Sequence, residues 1–368
     1  MAAEIFPLDL KAQYLSIQPE IDAAIARVFA SGHFILGSEV DAFEREFAEY
    51  IGLNHAVSVD SGTSAIQLAL LACRIGAGDE VITVSHTAVA TVAAIELTGA
   101  KPVLVDINSF FTLDPSQLES AFTTRTRAVI PVHLYGCPAD MDSILAFAHE
   151  HRLVVIEDCA QAHGAQIHGK PVGGWGHLSA FSFYPTKNLG AYGDGGAVLT
   201  NDPALAEQVR LLRQYGWRRD RISEQKGMNA RLDEMQAAIL RVKLRRLNAW
   251  NDRRRELAAL YKTLLADSEF ILPVELPDTR HVYHQFVIRH SQRDALRAFL
   301  VRHGIHTQIH YPVPVHLQPA YRELKANTLS FTESIANEIL SLPLHPELQD
   351  EDVERVCQFI HLFLKSVE

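Results

Sequence analysis

The sequence predicts an α/β layered fold built on a mostly parallel sheet, followed by a smaller α+β unit. Three observations carry this. Between about residues 55 and 200, short apolar runs rich in β-branched residues alternate with helical stretches, as in a sheet covered on both faces. Further along the chain that alternation gives way to a mixture of helix, strand and Pro-rich loop. The length, 368 residues, is enough for two domains.

The elements follow in order. Ile17–Phe29 and Val40–Tyr50 carry apolar residues at three- and four-residue spacing and read as helices, parted by breaks at Ser31-Gly32 and Leu36-Gly37-Ser38. Strands are expected at His55–Val59, Glu80–Val84, Pro102–Asp106, Ala128–Val132, Leu153–Ile156, Ala180–Phe183 and Ala197–Thr200. Residues 203–215 and 231–265 read as long charged helices, the second with little to interrupt it. A strand at Tyr283–Arg289, a helix at Asp294–His303, a Pro- and His-rich loop at His310–Pro319 and a closing helix from about Asp350 complete the chain. The expected division is a large domain over residues 1–255, including the N-terminal helices, and a smaller C-terminal domain over 256–368.

Composition narrows the function. With 48% hydrophobic and 21% charged residues, the chain is neither disordered nor fibrous. Its 34 basic against 44 acidic residues give a net charge of −10, so no nucleic-acid partner is expected from its overall field. Glu96 and Lys101 interrupt the best apolar run, so no membrane span is expected. The first residues lack a basic region followed by an apolar core, and no secretion signal is read. Cys73, Cys137, Cys159 and Cys357 form no CxxC pair. They fit reduced thiols in a cytoplasmic protein, with no metal site expected.

The chemistry concentrates in two segments, Val154-Val-Ile-Glu-Asp-Cys-Ala-Gln-Ala-His163 and Ala180-Phe-Ser-Phe-Tyr-Pro-Thr-Lys-Asn-Leu-Gly-Ala-Tyr-Gly-Asp-Gly-Gly196. Asp158 falls at the carboxyl end of an expected strand, where open parallel sheets bind ligands; taken alone it reads as a helix N-cap. Lys187, alone, could be a solvated lysine on a glycine-rich turn. Yet it follows a strand among mostly uncharged neighbours, and the glycines after it permit close backbone approach. A lysine in a dry pocket has a lowered pKa and attacks carbonyl carbons. Pyridoxal phosphate needs such a lysine, together with a carboxylate near its ring nitrogen. Asp158 and Lys187 would supply both, with Ser182 as a hydroxyl for the phosphate. Val57–Ala65 adds a strand, a tight turn at Ser61-Gly62-Thr63 and an apolar helix start. Such a start is an anion site, or an ordinary capped helix. The joint order of these features is the signal.

These residues resemble the DegT/DnrJ/EryC1/StrS family of pyridoxal-phosphate-dependent nucleotide-sugar aminotransferases. The resemblance covers nearly the whole chain, through Phe34-Ile-Leu-Gly37, Ser61–Ala65, Ile156–Gly164, Phe181–Gly190, Gly227–Ala238 and Leu342-Pro-Leu-His-Pro346. It implies the fold of aspartate aminotransferase (fold type I) and a homodimer with shared active sites. By resemblance, Lys187 is the Schiff-base lysine and proton carrier, and Asp158 pairs with the pyridinium nitrogen. Gln161 lies near the cofactor ring. Gly62, Thr63 and Ser182 hold the phosphate, which Asn229 reaches from the other subunit. Arg231 is a candidate for an anionic group of a substrate. Relatives with His at the lysine position remove a hydroxyl, so Lys187 favours aminotransfer. One departure stands out: where many relatives place an aromatic ring on the cofactor, this chain has Ala88, in Val84-Ser-His-Thr-Ala-Val-Ala-Thr91. His86 could supply the ring, being on the same side of an extended chain, or could be a hydrogen-bonded loop histidine.

Residues Gln214–Arg221 and Arg231–Leu244 resemble the branch that aminates C-3 of thymidine-diphosphate-linked keto-6-deoxyhexoses, with L-glutamate as donor. There Tyr184, His310 and Tyr311 would face the hexose. His310 and His316 could instead be loop structure beside the prolines. Arg218, Arg219 and Arg221 could meet a nucleotide diphosphate or form a solvated cluster, and Arg253-Arg-Arg255 reads as a charged helix face. Two alternatives stay open: the same chemistry at C-4 of a UDP- or GDP-hexose or on a cyclitol ketone, and a non-catalytic regulatory protein on the same fold.

Overall fold

Seven strands form one sheet in the computed structural model, which describes residues 4–324 and 328–367. They are β1 (His55–Val59), β2 (Glu80–Val84), β3 (Lys101–Val105), β4 (Thr126–Val129), β5 (Val154–Asp158), β6 (Leu178–Ser182) and β7 (Gly196–Thr200). Their spatial order is β1-β7-β6-β5-β4-β2-β3. Neighbours are parallel except at β7, which runs antiparallel to both β1 and β6. β2, β6 and β7 are buried along their whole length, which is why their sequences are continuous apolar runs rather than alternating ones. Successive residues point to opposite faces and enter different cores. Ile82, Val129, Val155, Phe181 and Leu199 pack on one side, while Val81, Ala128, Ile156, Ala180 and Val198 pack on the other.

The N-terminal helices Gln18–Ser31 and Ser38–Ile51 lean on the helix Glu234–Leu244. Ile21, Ala24 and Val28 meet Ala238, Ile239 and Val242 there. Glu234 accepts hydrogen bonds from the backbone N–H groups of Gly37 (2.7 Å), Val40 (2.9 Å) and Glu39 (3.0 Å). Its charge thus complements the positive end of the second helix.

The stretch expected as one helix over 231–265 is two, Glu234–Leu244 and Leu247–Leu264. The first helix is capped at Arg245 and the second begins after Arg246, a break without the Gly or Pro that would mark it. The division expected at 255/256 falls inside the second helix. Leu247 belongs to the core of the sheet, whereas Leu257, Ala258 and Tyr261 pack into a separate C-terminal core. That core also takes in Ile5 from the opposite end of the chain, through a bridge to Ile305. It is built on an antiparallel pair, β8 (Phe286–Arg289) with β9 (Ile339–Leu342), and on the helices Arg293–Arg302 and Asp350–Val367. Among the described residues, no helix is long and apolar enough to cross a membrane.

Candidate active site

β1, β5 and β6 end together on one edge of the sheet, and each delivers one part of the site. At the end of β5 the pleat turns Glu157 to one face and Asp158 to the other. Both are buried. Asp158 accepts from Thr91 Oγ1 (2.8 Å) and from the Ala160 N–H (3.1 Å). Burial pushes its pKa up, against the pull of those two hydrogen bonds and of the Lys187 and His133 charges.

Lys187 sits on the loop after β6. The Phe183 N–H donates to the Gly195 oxygen (2.7 Å), the Ala191 N–H to the Phe183 oxygen (2.8 Å) and the Lys187 N–H to the Tyr184 oxygen (2.9 Å). Gly190 is required for this path, since a Cβ there would lie 2.4 Å from the Pro185 oxygen. A second lysine holds the loop from beneath: the buried Lys243 Nζ donates to the Gly190 oxygen at 2.8 Å and lies 3.9 Å from the centre of the Tyr192 ring. Burial lowers the Lys187 pKa to about 8, with the Asp158 charge opposing that shift. Lys187 faces a cavity of about 520 Å³, lined also by Gln161, Tyr184, Arg254, His284, His310 and Tyr311.

The third part is the start of the helix Gly62–Ala72. Ser61 caps it, accepting from the Ser64 N–H (3.1 Å), and the Gly62 and Thr63 N–H groups precede any intrahelical partner. A Cβ on Gly62 would come within 2.7 Å of Ser182 Cβ. The bare backbone therefore lets the Ser182 hydroxyl stand beside the helix start.

The remaining expected residues divide. Gln161 accepts from the Tyr135 N–H (2.7 Å) and donates to the Tyr311 hydroxyl (3.0 Å). His310 Nδ1 meets Ser341 Oγ at 2.9 Å, and burial lowers its pKa to about 4. Tyr184 is exposed at the mouth. Asn229 is exposed and Arg231 half-buried, and neither lines this cavity within a single chain. His86 is fully buried, hydrogen-bonded to the Tyr135 hydroxyl at 2.7 Å and 6.1 Å from the Phe111 ring, while Ala88 is half-buried. His316 bonds Ser85 (2.6 Å) and Glu333 (3.1 Å), a loop-building role. Arg218 pairs with Glu224 (2.8 Å) and Glu207 (3.3 Å) on the surface, beside the exposed Arg219 and Arg221.

Sequence reasoning missed Thr91, His284 and Arg254. Thr91 lay within a quoted segment but carried no role. Arg254 sits in an arginine run read as a charged face, and that reading holds for its neighbours alone. Arg253 reaches Asp350 (2.7 Å) and Arg255 reaches Glu275 (3.1 Å), whereas Arg254 is buried. The clue was available: Leu247, Asn251, Arg254, Ala258 and Tyr261 form the buried four-three stripe of this helix.

The residues fit pyridoxal phosphate. A buried amine, a buried carboxylate and a helix start packed so closely on Ser182 that only glycine fits at position 62 stand together at the strand ends. A nearby trio, His133, Glu157 and Cys159, has metal-ligand chemistry, but two of its three members are already engaged. Glu157 accepts from the N–H groups of Gly173, Trp175 and Gly176 (2.7 Å each) and from His133 Nε2 (3.1 Å). His133 Nδ1 accepts from the Ala139 N–H (2.9 Å).

Residues 15–361 match the DegT/DnrJ/EryC1/StrS aminotransferase family. The chain is 51% identical over 365 residues (98% of this chain, 96% of the relative) to dTDP-3-amino-3,4,6-trideoxy-alpha-D-glucose transaminase of Streptomyces venezuelae. It is also 51% identical over 353 residues (95% and 96%) to the Erythromycin biosynthesis sensory transduction protein EryC1 of Saccharopolyspora erythraea. The crystal structure of S. venezuelae DesV in complex with a ketimine intermediate superposes with a TM-score of 0.96 at 50% identity, over 98% of this chain and 99% of that one.

Proposed function

The chain belongs to the DegT/DnrJ/EryC1/StrS aminotransferase family, and from that premise we propose that it moves an amino group from L-glutamate to C-3 of a dTDP-linked keto-6-deoxyhexose. It is a pyridoxal-phosphate-dependent sugar aminotransferase. The C-3 position and the thymidine nucleotide are supported by the name of the Streptomyces relative. The observation that carries the mechanism is the buried pair of Lys187 and Asp158 beside an open helix start.

Bound pyridoxal phosphate supplies a carbonyl that takes up the amino group and a protonated ring that accepts electrons from the substrate carbon. The rest is done by the protein. Gly62, Thr63 and Ser182 would bind the phosphate through N–H groups, hydroxyl and helix dipole. Asp158, oriented by Thr91 and the Ala160 N–H, would hold the proton on the ring nitrogen. Lys187, with a pKa lowered to about 8, keeps a fraction of neutral amine at neutral pH and can carry the proton to and from the reacting carbon. Gln161 would lie against the ring, its orientation fixed by Tyr135 and Tyr311. Tyr184, His310 and Tyr311 would orient the hexose, and His86 backs the cofactor site through Tyr135. A homodimer completes the reading: Asn229 would reach the partner's phosphate and Arg231 an anionic group of the partner's substrate. The exposure of Asn229, away from its own chain's cavity, supports this. The setting is the cytoplasm.

The name of the Saccharopolyspora relative keeps a regulatory reading in view. Against it stands the cost of burying an amine that makes no hydrogen bond among the described residues beside a carboxylate held by only two. The test is direct. Purified protein should take up pyridoxal phosphate, and borohydride trapping with peptide mapping should place the label on Lys187. A panel of keto-sugars with glutamate should favour the dTDP-linked 3-ketone. Label elsewhere or absent would sink the mechanism, and preference for a 4-ketone, a UDP- or GDP-sugar or a cyclitol would redirect the substrate.

A further inference from the structure

Among the described residues, Arg254 is a buried cation without a counterion. It is 2% exposed, and none of their carboxylates lies within 4.0 Å. Its hydrogen bonds go to backbone oxygens only, Nη1 donating to Leu344 (2.8 Å) and, at 3.4 Å, to Tyr283. Nε is buried with no acceptor. A guanidinium removed from water this way is costly unless something pairs with it. The same side chain lines the cavity that holds Lys187.

The surrounding groups sharpen the point. Lys187, His284 and His310 share the wall, and protonation of His284 is disfavoured first by burial and then by the Lys187 and Arg254 charges. Of the carboxylates, Glu347 acts on Arg254 from beyond ion-pair distance and is itself engaged by His345 at 3.3 Å. Asp158 is committed to Thr91 and Ala160. The wall is therefore built to receive negative charge.

We propose that Arg254 anchors a carboxylate of the amino donor, and so selects an amino acid as the first substrate; this rests on the aminotransferase reading above. Two anions enter the reaction, the donor's carboxylates and the sugar's diphosphate. Arg254 is nearly sealed from solvent, whereas the diphosphate carries a nucleoside that must extend toward the mouth. A donor carboxylate lies only a few bonds from the amine that reacts beside Lys187. An Arg fork suits a carboxylate's two oxygens.

The test uses the holoenzyme with Arg254→Gln and Arg254→Lys, following separately the donor half-reaction, the keto-sugar KM and the binding of glutarate, an unreactive dicarboxylate. Folding is checked by retained cofactor and an unchanged circular dichroism spectrum. Arg254→Gln should raise the donor KM about ten- to a hundredfold and abolish glutarate binding, with the keto-sugar KM within about twofold of the parent. Arg254→Lys should fall between. A rise in the keto-sugar KM alone would assign the anion to the diphosphate and overturn the proposal. So would unchanged donor KM and glutarate binding in folded Arg254→Gln, or in folded Arg254→Lys if Gln does not fold. A parent enzyme that reacts with no amino acid yet loses glutarate only in the variants would refute the aminotransferase reading and leave the anchor standing.

Discussion

Glu157 and Asp158 are neighbours on β5, both buried, and the two sides of the sheet treat them differently. Glu157 meets four donors from the His133 ring and the Gly173–Gly176 backbone. Asp158 has two. The same contrast recurs between two buried lysines. Lys243 is engaged by the Gly190 oxygen and the Tyr192 ring, while Lys187 turns into a cavity. Where a buried charge is engaged by neighbouring backbone and rings it builds the scaffold, and where it turns into a cavity it has chemistry to do.

The largest effect that could break this comparison is at Lys187. Lys187→Ala should lower turnover by about a thousandfold or more without lowering the denaturation midpoint, because among the described residues the amine makes no hydrogen bond or close ion pair and burial alone disfavours its charge. Retained aminotransfer would remove the assigned role, and a large loss of stability would mean that Lys187 is scaffold after all. Next comes the carboxylate pair. Glu157→Ala strands three N–H groups and a histidine, and should cost about 3–5 kcal/mol in urea unfolding. Asp158→Ala should cost less than half of that while abolishing cofactor retention. Equal losses in the two variants would erase the distinction.

The sequence made the scaffold side of this contrast largely readable. β1 and β2 lie where their apolar runs ended, and the other sheet strands shift by one to three residues, because burial on both faces writes a continuous signal. The closing helix and the turn at Ser61-Gly62 were equally plain. Asp158, Lys187 and Ser182 were found through their place at strand ends. What stayed hidden depends on contacts distant in sequence. Thr91 reaches Asp158 across 67 positions, and Arg254 looks like its two half-buried, ion-paired neighbours until the helix is seen to bury every third or fourth residue. The antiparallel direction of β7 leaves no mark in composition, since a strand reads the same either way.

A smaller effect tests whether the site extends beyond one chain. Asn229→Ala should weaken cofactor affinity about tenfold, the worth of one hydrogen bond to a charged phosphate, by equilibrium dialysis of the purified protein. Because Asn229 lies outside its own chain's cavity, the loss should be restored in mixed dimers at sites where the partner supplies an intact Asn229. Unchanged affinity would count against the contact between subunits.

The smallest effect separates the two lysines by pH. Lys187 attacks a carbonyl only as the neutral amine, and its pKa is lowered to about 8 by burial. Capture of pyridoxal phosphate by the cofactor-free protein should therefore be slow below that value, rise about fivefold between pH 7 and pH 8, and level off above it. Lys243, lowered to about 7 by burial, would place the rise a unit lower if its hold on the Gly190 loop were the controlling step. Lys243→Met keeps the side-chain volume and removes that titration. A midpoint near 8 in both proteins, followed by stopped-flow absorbance, assigns the profile to the unpaired lysine; a midpoint that moves in the variant would give the scaffold lysine a share in the chemistry.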